Sequence, residues 1–168
     1  GVPVARIFTP ARELPFAGNP LVGSAYVLDV LGPGGPGRLR CAVGEVAYRA
    51  NRESVTIDTP HGQPVQPSSL EVDGAVSAWL VSMPMEYHVV QLPNPAAVAS
   101  FAPSADLELY LWAWEEEGHA IKARFFAPEL GLVEDPATGS AAVALSQALS
   151  AMAMKAGRVE IHQGDEID

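Results

Sequence analysis

Positive charge is scarce in this chain. Its 168 residues include 10 Lys and Arg against 20 Asp and Glu, and the formal net charge at pH 7 is -10. Proteins bind nucleic acids and anionic membranes through Lys and Arg, which replace the counterions around phosphate groups. We therefore expect no nucleic-acid partner and no membrane partner, and an anionic ligand would have to be held by local groups.

Cysteine and long apolar runs are also scarce. The single cysteine, Cys41, lies in the strand-like segment RLRCAV, which favours a small buried residue over a catalytic thiol. No run of about 18 apolar residues is present, and the sequence does not open with the charged and then apolar pattern of a secretory signal. The expected compartment is therefore the cytoplasm. The four histidines show no spacing typical of a metal site, so no metal is expected.

Hydrophobic residues, glycine and proline are abundant. Hydrophobic residues make up 48% of the chain, enough for a core, and 15 Gly and 15 Pro indicate many turns and short strands. The patterns predict a Pro-rich linker at 60–69 and the following elements. Helices are expected at 20–31, 95–101 and 136–154, and strands at 2–8, 38–43, 45–50, 54–59, 76–82, 86–92, 107–114, 119–126 and 158–162.

One pattern occurs twice. ARIFTP (5–10) matches ARFFAP (123–128), and NPLVGSA (19–25) matches DPATGSA (135–141). Each copy contains a strand, a loop, an Asn or Asp followed by Pro, and then Gly-Ser-Ala. The repeat predicts two homologous lobes, at 1–62 and 63–168, each with a small curved sheet packed against one helix.

The repeated segment also predicts how two helices begin. Asn19 and Asp135 are favoured helix-capping residues, and the Pro that follows each is favoured at the first helical position. The N–H groups and the dipole at a helix start attract a carboxylate, so two such starts facing one cleft would bind a small organic acid. Asp135 is the candidate for acid/base chemistry. The alternative is that both residues act only as caps.

The same segments carry a family resemblance. RIFTPARELPFAGNPLVGSA and ARFFAPELGLVEDPATGSAAVAL resemble the two signature segments of the phenazine-biosynthesis F-like (PhzF-like) isomerases, relatives of diaminopimelate epimerase. The resemblance implies an α+β fold of two pseudo-repeated lobes, each a curved, barrel-like, mostly antiparallel sheet around a central helix, with both lobes truncated in this chain. It also implies a homodimer and proton transfer on a small carboxylated metabolite in the cleft between the lobes, without metal or organic cofactor.

The resemblance assigns roles to five residues. Asp135 would be catalytic, and Gly18, Asn19, Gly139 and Ser140 would bind the substrate. The family usually has His where this chain has Asn19; an Asn side chain can still bind a carboxylate but does not titrate.

Two further departures from related enzymes bear on the mechanism. Ala17 and Thr138 occupy the positions where diaminopimelate epimerase and proline racemase carry two thiols, which excludes a two-thiol mechanism. The Glu that serves the family as general acid/base lies upstream of the first strand and is absent from this sequence. We therefore expect this chain to be a fragment of a longer family member and to be inactive alone. The alternative is a non-catalytic small-acid binding or interaction protein on the same fold.

Overall fold

The computed structural model of this chain describes residues 1–32, 36–58, 64–103, 107–154 and 157–167. By its internal contacts the chain divides into two compact units, Gly1–His61 and Gly62–Asp168. The boundary expected from the sequence, between residues 62 and 63, lies outside the described residues.

The first unit combines one helix with two small antiparallel sheets. Its elements, in chain order, are β1 (Ile7–Phe8), β2 (Glu13–Leu14), α1 (Gly18–Leu31), β3 (Gly37–Cys41), β4 (Gly44–Ala50) and β5 (Val55–Ile57). Strands β1 and β2 form one sheet, and β3, β4 and β5 form the other in that order. The helix expected at 20–31 and the three strands that follow it are confirmed. The strand expected at 2–8 is reduced to β1.

The apolar side of α1 forms the core of the first unit. Leu21 and Ala25 are fully buried, and the helix packs against the sheet of β3, β4 and β5. From this sheet, Leu39 and Val46 contribute to the core. Leu21 and Ala25 are four positions apart and so lie on one side of α1. Val27, Val30 and Leu31 of the same helix are exposed, so the apolar pattern alone does not specify which side is buried.

The second unit is built on a mixed sheet. Its elements, in chain order, are β6 (Gln66–Pro67), β7 (Ser77–Ser82), β8 (Glu86–Gln91), α2 (Pro95–Ala99), β9 (Leu109–Glu116), β10 (Ala120–Ala127), a 3-10 turn (Pro128–Leu130), β11 (Leu132–Asp135), α3 (Gly139–Ala151) and β12 (Glu160–Gln163). The strands follow the order β11-β10-β9-β8-β7-β6, with β12 also beside β10. β8 and β9 are parallel and are joined through α2, and β12 is parallel to β10; the other pairs are antiparallel.

The two helices of this unit cover opposite faces of the sheet. Leu109, Leu111 and Ala113 of β9 belong to a buried cluster with Val98 of α2. The residues between them point the other way, and α3 packs on β7 and β8. With both faces covered, β10 is buried along almost its whole length and β9 over its first five residues, which explains why their apolar residues do not simply alternate with polar ones.

The expected barrel-like sheet around a central helix is not found in the described residues, where no sheet is closed. A central helix, as the resemblance implies for each lobe, would be buried on all sides. Instead one stripe of α3 is buried, and Ser146 and Ser150 are exposed. The buried stripe consists of Ser140, Ala141, Ala144, Leu145, Ala148 and Leu149. The small residues on its other sides therefore do not indicate burial, since Ala and Ser are common on exposed helix surfaces as well.

Two strands share one edge of β10, and their ends meet there. β11 runs antiparallel to β10 and ends with Asp135 opposite Phe125. β12 runs parallel to β10 and ends with Gln163 opposite Ala123. The C-terminal ends of β11 and β12 therefore face each other at neighbouring positions along the same strand.

Arg124 ties this edge to α2. Its guanidinium forms a two-pronged ion pair with Glu134 of β11, with N–O distances of 2.8 and 2.7 Å, and both side chains are 10% exposed. Its Nη1 also donates to the carbonyl oxygens of Val98, Ala99 and Phe101, at the end of α2. The buried charge is therefore satisfied by a carboxylate and by backbone acceptors, which is the condition under which an ion pair in a protein interior is tolerated.

In the described part of the chain, no helix combines the length and the apolar character needed to cross a membrane.

Replacing Arg124 by Met should destabilise the protein strongly. The substitution keeps much of the side-chain volume but leaves the Glu134 carboxylate buried without its partner, which typically costs about 3–5 kcal/mol. Urea unfolding measures the change in the free energy of unfolding. The matched control is Arg6→Met, which removes the exposed pair with Glu13 and should leave the urea midpoint nearly unchanged. Equal effects of the two variants would contradict the assigned role of Arg124.

Gly164 should tolerate Ala less well than Gly118 does. Both glycines have positive φ, +99° and +76°, so both substitutions carry a backbone cost. A Cβ atom at Gly164 would lie 2.8 Å from the carbonyl oxygen of Pro136, whereas one at Gly118 would meet open space. We expect Gly164→Ala to lower the free energy of unfolding by about 1–3 kcal/mol more than Gly118→Ala does. Equal losses in thermal and urea unfolding would show that the chain at Gly164, directly after β12, does not approach Pro136 closely.

Candidate functional site

Asp135 lies at the end of β11 and does not cap α3. That helix begins at Gly139, with Thr138 in the capping position. The first copy of the repeat also differs from the prediction, because α1 begins at Gly18 with Ala17 as its cap, and Asn19 lies in the first turn. The prediction that both helices begin at the Asx-Pro pair is therefore wrong. Asp135 pairs with Phe125 in the sheet, which holds its backbone in an extended conformation.

The carboxylate of Asp135 is held by the loop that leads into α3. Its Oδ2 accepts a hydrogen bond of 2.7 Å from the hydroxyl of Thr138, and its Oδ1 accepts a longer one of 3.3 Å from the N–H of Ala137. Both donors follow Asp135 closely in sequence, as in the turns that Asp side chains commonly form. The two hydrogen bonds fix the direction of the carboxylate, and because the side chain is only half-buried it remains accessible from solvent.

Gln163 completes the support of Asp135 from the end of β12. Its Nε2 donates to the backbone carbonyl of Asp135 at 2.8 Å and to Oγ1 of Thr138 at 3.1 Å. Because the Thr138 oxygen accepts from Gln163, its own proton is directed to Asp135. The meeting of β11 and β12 on β10 therefore fixes the loop on which the carboxylate is carried.

The first turn of α3 provides hydrogen-bond donors next to this carboxylate. The first helical bond of α3 runs from the N–H of Ala142 to the carbonyl of Thr138, so the helix itself does not use the N–H groups of the three preceding residues. Gly139 is exposed and leaves the backbone open to close approach, whereas Ser140 is 8% exposed. These N–H groups and the helix dipole favour an anionic group at this position.

The hydroxyl of Ser140 is bonded to Tyr87 of β8. The Tyr87 hydroxyl donates to Ser140 Oγ at 2.8 Å, and the tyrosine is 2% exposed. Burial raises the pKa of Tyr87, the hydrogen bond with Ser140 lowers it, and the negative charges of Glu108 and Asp135 raise it further. The net effect is upward, so Tyr87 carries its proton at neutral pH.

Gly18 and Asn19 belong to the first unit. Asn19 is exposed at the start of α1. The serine that corresponds to Ser140 in this copy, Ser24, donates to the carbonyl of Pro20 at 2.8 Å. The two copies of Gly-Ser-Ala therefore use their serine hydroxyls differently: Ser24 bonds within its own helix, and Ser140 bonds to a strand.

The structure brings together three of the five residues expected in the site, namely Asp135, Gly139 and Ser140, within one loop and helix turn. Cys41 is buried in β3, as expected. His162 pairs with Glu115 and Glu160, and the hydrogen bond with Glu115 is the largest of the effects that raise its pKa. His61 lies outside the described residues. Within the described ranges, no three His, Cys, Asp or Glu side chains are grouped so that they could hold a metal ion.

Sequence analysis missed three residues that support the site: Tyr87, Arg124 and Gln163. Each acts on a residue far away in the chain or across the sheet, and its own segment shows only an ordinary strand pattern. For Gln163 the sequence offers one indication. Gly164 follows it, and a glycine after a strand often marks a close approach of two backbone segments.

Comparison with known proteins identifies relatives along the whole chain. The family model described as phenazine biosynthesis-like protein (PhzC-PhzF) matches residues 4–168. A trans-2,3-dihydro-3-hydroxyanthranilate isomerase of Pseudomonas chlororaphis is 31% identical over an alignment of 187 positions. This alignment covers 99% of this chain and 67% of that protein. The isomerase of the same name from Pseudomonas aeruginosa is 32% identical, over 96% of this chain and 66% of that protein.

Solved structures agree with this assignment. A predicted epimerase from Pseudomonas aeruginosa superimposes with a TM-score of 0.74 at 27% identity, over 91% of this chain and 63% of that one. A PhzF-family phenazine biosynthesis protein from Bacillus anthracis has a TM-score of 0.68 at 17% identity, over 85% and 60%. The latter shows the fold alone, a mixed-sheet α+β fold with few helices. This chain spans about two thirds of the length of these relatives. From the matched family model and the signature loop around Asp135, we conclude that the chain belongs to the PhzC-PhzF family of phenazine biosynthesis-like proteins.

Proposed function

We propose that the protein is an isomerase that transfers a proton on a small carboxylated metabolite without a cofactor, and that Asp135 is the acid/base residue of the second unit. The observation that carries the proposal is the placement of the Asp135 carboxylate. It is oriented by Thr138 at 2.7 Å and lies directly before the donor-rich start of α3.

The arrangement suits proton transfer next to a carboxylate. Asp135 takes a proton from one carbon of the substrate, and isomerisation is complete when the protonated Asp135 returns this proton to another carbon. Negative charge develops on the substrate between the two steps. The N–H groups of Gly139 and Ser140 and the Ser140 hydroxyl stabilise that charge and hold the substrate carboxylate.

The names of the relatives suggest the substrate class. The Pseudomonas relatives are named for trans-2,3-dihydro-3-hydroxyanthranilate, a small cyclic amino acid with one carboxylate. We propose a metabolite of this class for this protein. The cleft between two lobes that the resemblance implies, with Gly18 and Asn19 as further substrate contacts, is part of the same proposal, as is a homodimer.

Replacing Asp135 by Asn in the full-length gene product should abolish isomerisation. The amide oxygen can still accept the hydrogen bond from Thr138, but the side chain can no longer take up a proton. We expect kcat/KM for trans-2,3-dihydro-3-hydroxyanthranilate to fall about 10²–10⁴-fold. The assay follows the isomerisation by absorbance, and deuterium incorporation from D₂O, measured by NMR, reports proton transfer directly.

The control for this experiment is Glu129→Gln, which neutralises an exposed carboxylate in the preceding 3-10 turn. It should leave kcat/KM within about twofold of the wild type. An Asp135→Asn variant as active as this control would contradict the role of Asp135. A wild-type protein that binds the compound in calorimetry but neither isomerises it nor exchanges its protons would contradict the isomerase proposal and favour a non-catalytic binding protein.

A further inference from the structure

Tyr87 and Ser140 form a buried contact between the sheet and the start of α3. The two oxygen atoms are 2.8 Å apart, although the residues are 53 positions apart in sequence. The ring of Tyr87 is held by a tilted contact with Phe125, with ring centroids 6.0 Å apart. The position of the phenol oxygen is therefore set by the packed sheet and not by the loop before α3.

In this pair the tyrosine is the donor. A phenol is a better proton donor than an aliphatic hydroxyl, and its oxygen is a poorer acceptor. Burial keeps Tyr87 protonated, and the nearby negative charge of Asp135 acts in the same direction. The Ser140 oxygen is consequently the acceptor, and the Ser140 proton cannot point toward Tyr87.

The Ser140 proton is also not used within its own helix. Ser24, at the corresponding place in the first copy of the repeat, donates to the carbonyl four residues before it. Among the described residues, Tyr87 is the partner of the Ser140 hydroxyl, and no bond to an earlier carbonyl of the α3 segment is formed. The Ser140 hydroxyl is thus left as a donor beside the N–H groups at the start of α3 that the helix itself does not use.

We propose that Tyr87 is a positioning residue that fixes the Ser140 hydroxyl as a hydrogen-bond donor to the carboxylate of the substrate. This inference rests on the proposed function, since it assumes that the substrate carboxylate lies at the start of α3. Tyr87 does not touch the substrate. It determines that the site presents a donor at Ser140, and so favours a carboxylate over a group that has only donors.

The test is Tyr87→Phe in the full-length protein, with Tyr110→Phe as the matched control. Tyr110 lies on the same face of the sheet and is fully buried, and its ring centroid is 6.2 Å from that of the same Phe125 ring. Among the described residues, the Tyr110 hydroxyl has no hydrogen-bond partner. Both variants remove one buried hydroxyl from the same aromatic cluster. They differ in whether that hydroxyl is bonded to Ser140.

For trans-2,3-dihydro-3-hydroxyanthranilate, Tyr87→Phe should raise KM about three- to tenfold with kcat within about threefold, the effect of one misdirected hydrogen bond. Tyr110→Phe should leave KM within about twofold. The Kd of 2-aminobenzoate, a simple carboxylate probe, should follow KM in calorimetry. Ser140→Ala should raise KM at least as much, and adding Tyr87→Phe to Ser140→Ala should cause no further increase, because the two residues act through one bond.

Three outcomes would overturn the role of Tyr87. The first is that KM and Kd for Tyr87→Phe equal those for Tyr110→Phe. The second is that the effects of Tyr87→Phe and Ser140→Ala on KM are additive. The third is that Tyr87→Phe lowers the melting temperature and leaves KM and Kd unchanged. None of them affects Asp135→Asn, so the proposed function would stand. If the wild type shows no turnover but binds 2-aminobenzoate, the Kd values of the variants for this probe test the role of Tyr87 by themselves. If the wild type shows no turnover and does not bind this probe, both proposals are overturned.

Discussion

The structure of the site depends on the edge of β10 that β11 and β12 share. Because β11 runs antiparallel and β12 parallel to the same strand, their C-terminal ends face each other opposite Phe125 and Ala123. This brings Gln163 next to Asp135, although they are 28 residues apart. A close approach of the backbones follows, and the residue after Gln163 is a glycine with positive φ that packs on Pro136.

Buried polar contacts then fix what the shared edge brings together. Arg124 holds Glu134, the residue before Asp135, and joins it to the end of α2. Two hydroxyl groups, of Thr138 and Ser140, are oriented by hydrogen bonds from the sheet. Thr138 accepts from Gln163 and donates to Asp135, and Ser140 accepts from Tyr87. In each case a residue of the sheet donates a hydrogen bond to the oxygen of a hydroxyl group. The proton of that hydroxyl group therefore points elsewhere. The result is an oriented carboxylate beside oriented donors, the preorganisation that proton transfer requires.

The sequence predicted the parts of this arrangement that depend on local patterns. The helices and most strands follow from periodicity, and the repeated segments located Asp135, Gly139 and Ser140 in one turn. The prediction failed where long-range pairing decides the conformation. Asp135 has the chemistry of a cap, but its pairing with Phe125 keeps it in a strand, and α3 begins later. The contacts of Tyr87 and Gln163 could not be predicted, since neither residue differs in pattern from an ordinary strand position.

The most direct measurement is a crystal structure of the full-length protein with 2-aminobenzoate bound. The account predicts a carboxylate oxygen about 2.5–3.0 Å from Ser140 Oγ, a second contact to the N–H groups at the start of α3, and Tyr87 still bonded to Ser140. A carboxylate bound away from α3, or a Ser140 Oγ beyond hydrogen-bond distance of the carboxylate, would contradict it.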